Sequence, residues 1–65
     1  NKLIIKKKYV TIYIGSLDID KEIEINLMDN AGNMIGDLYL NVKEMRELKL
    51  HLIEQINKSK LWTYY

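Results

Sequence analysis

Three acidic residues alternate along residues 18–22, and their spacing is the first feature of this sequence that could bind a metal. Asp18, Asp20 and Glu22 match the opening of a calcium-binding loop. Such a loop also requires Gly at its sixth position and Glu at its twelfth, where this chain has Ile23 and Asp29. The sequence therefore favours an acidic loop that leads into a strand, and we expect no metal and no other cofactor.

Residues that could carry out catalysis are scarce. The single imidazole, His51, lies by helical phase on the polar flank of a predicted helix, and a general base needs a nucleophile or a substrate within hydrogen-bond reach. Ser16 and Ser59 stand in no recognisable nucleophile setting, and no glycine-rich phosphate-binding motif occurs. The sequence thus predicts a protein that is not an enzyme, with no evident small-molecule substrate.

Length and composition limit the fold to one small domain, residues 1–65. The chain has 65 residues, of which 48% are hydrophobic, and a net charge of +1. It has no Cys, which excludes disulfides and thiolate zinc sites and fits a reducing, cytoplasmic location. No apolar run approaches the roughly 20 residues that cross a bilayer, so no membrane association is expected. The abundance of Lys, Ile and Asn is compatible with an AT-rich bacterial or phage genome.

Alternating apolar and polar residues predict three antiparallel strands, over residues 3–14, 21–28 and 34–40. Gly15-Ser16 and the turn Asp29–Asn33 separate them. Between the last two strands, the register that places Glu24 opposite Tyr39 and Met28 opposite Ile35 avoids a like-charge pair and leaves the loop Asn30–Asn33.

A helix is predicted over residues 42–58. Asn41 followed three residues later by Glu44 forms a capping-box signal, and an apolar stripe continues along the helix. The fold class is therefore α+β: a three-stranded antiparallel sheet (β-β-β) followed by one C-terminal amphipathic helix packed on one sheet face. The expected core consists of ten residues. They are Val10, Ile12, Ile23, Ile25, Leu27 and Leu38 from the sheet, with Met45, Leu48, Leu52 and Ile56 from the helix.

Apolar and aromatic residues outside this expected core predict a protein-interaction or regulatory module that binds a protein partner or a second copy of itself. Two surfaces are available, the outer face of the sheet and the helix flank with the aromatic C-terminus. Trp62 is expected to fold back on the core, whereas core and interface remain open for the rest of the tail. The candidate partner-binding residues are Tyr9, Tyr13, Met28, Ile35, Tyr39, Leu50, Tyr64 and Tyr65.

Nucleic-acid binding is the alternative interpretation. Residues 1–14 carry four Lys and no acid, and tyrosines on an open sheet could stack on unpaired bases. However, Glu22, Glu24 and Asp37 share the outer face with the tyrosines and would repel phosphates. The sequence therefore favours a protein partner over a nucleic acid.

Overall fold

A four-stranded antiparallel sheet followed by a long helix forms the chain. The computed structural model describes residues 2–62, and the side chains of residues 2–60. The elements are β1 (Leu3–Lys6), β2 (Val10–Ile14), β3 (Glu22–Asp29), β4 (Met34–Asn41) and α1 (Val42–Trp62). The strands lie in the order β1-β2-β3-β4, so each strand pairs with its neighbour in sequence. The α+β class and the C-terminal helix are confirmed, but the predicted number of three strands is wrong.

The extra strand arises because residues 3–14 form a hairpin and not one continuous strand. Ile5 lies opposite Ile12, Leu3 lies opposite Ile14, and the Lys7 N–H donates to the Val10 carbonyl at 2.8 Å. The hairpin doubles back through Lys8 and Tyr9, two residues that carry no turn signal. Its formation adds Leu3 and Ile5 to the apolar side of β2.

The register of β3 against β4 follows the prediction over most of its length. Glu24 lies opposite Tyr39, and Leu27 lies opposite Gly36. Beyond this point the register shifts, so Met28 faces Met34 and not the predicted Ile35. Ile35 is the extra residue of a β-bulge, which redirects β4 just after the loop. A Cβ atom added at Gly36 would lie 3.1 Å from Leu27 Cδ1, so the Leu27 side chain occupies the space next to Gly36.

The loops on either side of β3 have the same hydrogen-bonding design, which begins with an aspartate. Asp18 Oδ1 accepts the N–H groups of Asp20 and Glu22, both at 2.9 Å. Asp29 Oδ1 accepts the equivalent N–H groups of Ala31 at 2.9 Å and Asn33 at 2.8 Å.

The fourth residue of each loop lies in the left-handed region of backbone conformation. Lys21 has a φ of 62°, and Gly32 has a φ of 86°. Each of these residues donates its N–H to the carbonyl of the aspartate that starts the loop. This arrangement, a turn that ends in a left-handed residue, is common in short hairpin loops.

The helix begins where the sequence predicts and ends four residues later than predicted. The Glu44 N–H donates to Asn41 Oδ1, and the Asn41 N–H donates to Glu44 Oε1, both at 2.9 Å, which is a reciprocal capping box. Lys58 and Glu54 form an ion pair at 3.4 Å one turn apart. No Gly or Pro stops the helix at residue 58, and it continues to Trp62.

The helix does not cover the sheet, which corrects the predicted packing. It contacts mainly β4, the strand that precedes it directly. The radius of gyration is 14.4 Å, whereas a compact chain of this length has a value of about 11 Å. No residue of the described chain is buried, so the expected core between sheet and helix does not form within one chain. The helix instead projects from the sheet.

Candidate functional site

One face of the sheet is apolar across all four strands. In an antiparallel sheet, directly opposed residues point to the same side, and successive residues alternate between sides. The pairs Ile5–Ile12, Ile12–Leu27 and Ile25–Leu38 therefore share one face. We call this surface the apolar face. It consists of Leu3, Ile5, Val10, Ile12, Ile14, Ile23, Ile25, Leu27, Leu38 and Leu40.

The apolar face is open to solvent. Its central residues, on β2 and β3, are half-buried by their neighbours within the sheet. Its margins are more open, since Leu3 on β1 is 56% exposed and Leu38 on β4 is 46% exposed. A surface of this composition is typical of a protein core, and here no other element of the described chain shields it.

The apolar residues of the helix are also uncovered. Met45, Leu48, Leu52 and Ile56 fall within one narrow sector of the helix, which we call the helix stripe. Met45, in the first turn, is half-buried, whereas Leu52 is 49% and Ile56 is 55% exposed. Exposure therefore increases with distance from β4. The chain thus carries two apolar surfaces that a stable fold would normally bury against each other.

The opposite side of the sheet, which we call the mixed face, carries several of the predicted partner-binding residues. Tyr13 lies opposite Asn26, and Met28 lies opposite Thr11 on the adjacent strand. Tyr13 and Met28 line two open depressions of about 360 and 260 Å³ on this face. The structure therefore brings these two candidates together.

Tyr39 on the mixed face pairs with an acidic residue. Its hydroxyl donates to Glu24 Oε2 at 3.3 Å. The negative charge of Glu24, together with this hydrogen bond, raises the pKa of the Tyr39 hydroxyl above its ordinary value. The phenol is therefore held as a neutral donor to the carboxylate.

The remaining described candidates lie at a hairpin tip, in the β-bulge opposite Leu27 and Met28, and on the helix. Tyr9 is at the tip of the β1–β2 hairpin, where Lys8 Nζ lies 5.4 Å from its ring centroid. Ile35 is the extra residue of the β-bulge, and Leu50 is a helix residue that is 66% exposed. Tyr64 and Tyr65 lie outside the described residues, as does the side chain of Trp62.

The predicted acidic loop is engaged in hydrogen bonds with its own backbone. One oxygen of Asp18 accepts two N–H groups, so this carboxylate serves to fold the loop. Within residues 2–62, no group of three or more His, Asp or Glu side chains is placed to hold a metal ion. His51 is exposed on α1.

The six sheet residues of the expected core all lie on the apolar face, which the sequence wrongly assigned to a covered core. Alternation of residue type shows which side of a strand is apolar, and it does not show what covers that side. The contribution of Leu3 and Ile5 was missed because the hairpin at Lys8 and Tyr9 has no Gly, Asn or Asp to mark it. The available signal was the short apolar run Leu3–Ile5, which Lys2 and Lys6 bound on either side.

Comparison with known proteins gives no match: no family model, no curated protein and no solved structure is similar to this chain. In the part of the chain that the structure describes, no helix has the length and apolar character needed to span a bilayer.

Proposed function

We propose that this protein is a non-enzymatic interaction module that binds a protein through the apolar face and the helix stripe. The observation that carries the proposal is a sheet face of ten apolar residues, none of them buried. Contiguous exposed apolar surface beyond a few hundred Å² marks an interaction site in soluble proteins. The proposal moves the main contact from the two surfaces that the sequence offered, the mixed face and the helix flank, to the opposite side of the sheet and the helix stripe.

The mixed face is the weaker candidate because its apolar groups are interrupted by charge. Glu24 already accepts a hydrogen bond from Tyr39, and Asp37 lies opposite Asn26. Its tyrosines and methionines fit the rim of an interface, where polar and apolar groups mix. The same acids weigh against a nucleic-acid ligand, since phosphates avoid carboxylates.

Two adjacent substitutions on β3 test the proposal, since they add the same charge to opposite faces. Ile25→Lys places an ammonium group on the apolar face, and Asn26→Lys places one on the mixed face. Both residues are half-buried in the sheet. Each variant is immobilised beside the wild-type chain, and proteins retained from an extract of the source organism are quantified by mass spectrometry. An untagged copy of the chain is included.

Ile25→Lys is expected to reduce the retained protein by about tenfold or more, because an ammonium group in an apolar contact is unpaired. Asn26→Lys is expected to retain it. Equal retention by the two variants, or loss only with Asn26→Lys, would contradict the proposal. Circular dichroism confirms folding, and Leu38→Lys at the margin of the apolar face replaces Ile25→Lys if the latter does not fold.

A parallel titration with labelled single-stranded and duplex DNA at low ionic strength tests the alternative function. The expected result is no binding. Salt-dependent binding of DNA that Ile25→Lys leaves unchanged would overturn the proposal in favour of the nucleic-acid interpretation.

A further inference from the structure

We infer that the partner is a second copy of this chain, and that the two copies exchange helices: the helix stripe of each packs on the apolar face of the other. This inference rests on the proposed function, because it names the occupant of the same surface. Four features of the structure support it: excess area, matching dimensions, the junction of β4 with α1, and charge.

The exposed area exceeds what a monomer of this mass carries. The chain exposes 5841 Å², and a folded monomer of 7.7 kDa is expected to expose about 4,300 Å². The excess is roughly 1,500 Å² per chain by this comparison. A dimer that buried this excess would remove about 3,000 Å² in total, which lies in the range of obligate homodimers.

The two apolar surfaces match in length. From Met45 to Ile56 the helix stripe spans about 17 Å at the rise of an α-helix. Four strands at the usual spacing give the apolar face a width of about 14 Å, and the segment from Ile23 to Leu27 extends about 14 Å along β3. A helix placed over the centre of the sheet would therefore cover the apolar face with its whole stripe.

The junction between sheet and helix prevents the helix from covering its own sheet. Asn41 ends β4 and Val42 begins α1, so no loop residue separates the two elements. The capping box between Asn41 and Glu44 fixes the first turn in this direction. Elements that fold back on each other are usually joined by loops of about 2–8 residues. The helix stripe is therefore held away from its own sheet and is available to another chain.

The charges of the two parts are complementary between copies. The helix, residues 42–62, carries five basic and three acidic residues, whereas residues 15–40 carry six acidic residues and one Lys. Glu22, Glu24 and Asp37 lie on the mixed face, but Asp18 and Asp20 in the loop before β3 and Asp29 at its end lie at the margin of the sheet. A helix of net charge +2 over the apolar face therefore gains attraction at the rim of the contact. Repulsion of like charge also disfavours contact between two helices or between two acidic sheet regions.

Exchange of helices also accounts for both surfaces at once. Face-to-face stacking of two sheets would cover the apolar face and leave the helix stripe exposed. A helix-to-helix contact would cover the stripe and leave the sheet exposed. Reciprocal helix–sheet packing covers both with one two-fold symmetric contact, as expected for a homodimer.

Because the chain has no Cys, single cysteines can report the contact. One tagged chain carries Leu52→Cys in the helix stripe, and an untagged chain carries Ile25→Cys in the apolar face. The control is Glu54→Cys, whose position is 62% exposed and lies on the opposite side of the helix from Leu52. The chains are mixed, treated with a short bismaleimide, and separated by mass. Light scattering after size exclusion gives the oligomeric state of the uncross-linked wild-type chain.

The expected result is a dimer in solution, with cross-linked heterodimer from Leu52→Cys with Ile25→Cys and little from Glu54→Cys with Ile25→Cys. A strict monomer across micromolar concentrations overturns the inference, and so does a dimer that cross-links only Ile25→Cys to Ile25→Cys, as in stacked sheets. A monomer that still retains another protein through the apolar face leaves the proposed function standing. A monomer that retains none overturns both. Circular dichroism of each variant confirms that it folds.

Discussion

At the scale of single residues, the two aspartate-led loops differ in the residue that takes the left-handed conformation. Gly32 adopts this conformation without steric cost, and Lys21, with a φ of 62°, adopts it at a cost of about 1 kcal/mol. The equivalent hydrogen bonds of Asp18 and Asp29 show that the loop design tolerates this difference. Lys21 is therefore a position of local strain on the surface.

Substitution Lys21→Gly is expected to stabilise the protein by about 0.5 kcal/mol. Relief of the strained backbone is partly offset by the greater freedom of glycine in the unfolded chain. Denaturant unfolding measures the difference. The matched control is Gly32→Ala, which is expected to cost about 1 kcal/mol. An added Cβ at Gly32 meets nothing within 4 Å, so that cost is one of backbone conformation alone. A destabilised Lys21→Gly variant would contradict this account of the loop.

Asp29 should make the β3–β4 loop sensitive to acid. The N–H of Asn33, followed by smaller contributions that include the N–H of Ala31, lowers the pKa of the Asp29 carboxyl below its ordinary value of 3.8. Because the pKa is lowered in the folded protein, the Asp29 carboxylate stabilises the loop at pH values above 3.8. This stabilisation is lost as the pH falls through the pKa of the folded state. The amide resonances of Ala31 and Asn33 are expected to shift together below pH 3.8. In Asp29→Asn this transition should be absent, and a transition that persisted in the variant would assign the effect to another group.

At the scale of elements, the sequence predicted correctly those strands, loops and helix ends that are marked by residues within a short segment. Alternation in residues 21–28 marked β3, the Asn and Gly of the following turn marked the loop, and Asn41 with Glu44 marked the start of the helix. The β1–β2 hairpin was missed because Lys8 and Tyr9 have no intrinsic turn preference. The hairpin is held by pairing of its strands and by Asn30 Nδ2, which donates to the Lys8 carbonyl at 3.0 Å. Bulges, and turns that lack Gly, Asn or Asp, depend on contacts between strands. The residue pattern of a single strand does not contain this information.

The capping box offers a test of how the start of the helix is held. Asn41→Ala removes the acceptor of the Glu44 N–H and is expected to cost about 1 kcal/mol. The unfolding free energy measures this loss. Asn41→Asp keeps an oxygen acceptor at the same position and is expected to cost little. If the two variants were equally destabilised, the side-chain amide, and not its oxygen, would be the important group.

At the scale of the whole molecule, the candidate site could be predicted only in part. The six sheet residues of the expected core were placed on the correct side, since the period of two determines which side they share. The prediction that the helix covers these residues was wrong, because the position of a helix relative to a sheet is not determined by the residue pattern within either element. It depends on the junction at Asn41, where a strand and a helix meet without a loop.

If the chain completes its core with a second copy, its stability must depend on protein concentration. Unfolding of a dimer is coupled to dissociation, so a higher concentration raises the melting temperature by mass action. Melting curves followed by circular dichroism over a roughly hundredfold range of concentration are expected to shift upward together with the light-scattering mass. A melting temperature independent of concentration would indicate that each chain is stable alone.

The junction at Asn41 also predicts how the proposed dimer could be altered without changing its contacts. A flexible Gly-Ser insertion of about four to six residues before Val42 has the length of a typical connection between packed elements. With this insertion α1 is expected to reach the apolar face of its own chain, and light scattering should report a monomer that keeps the helical content of the parent. A dimer of unchanged affinity would show that the junction does not determine the choice of partner.

The absence of a loop at this position has an evolutionary meaning as well. In the proposed exchange of helices, the peptide bond between Asn41 and Val42 would be the hinge, and insertions are best tolerated at exposed positions of a chain. A short insertion at this junction would convert the proposed dimer into a monomer, and a deletion would restore the dimer. Monomeric homologues of this chain should therefore be recognisable by extra residues between β4 and α1, with the apolar face and the helix stripe both retained.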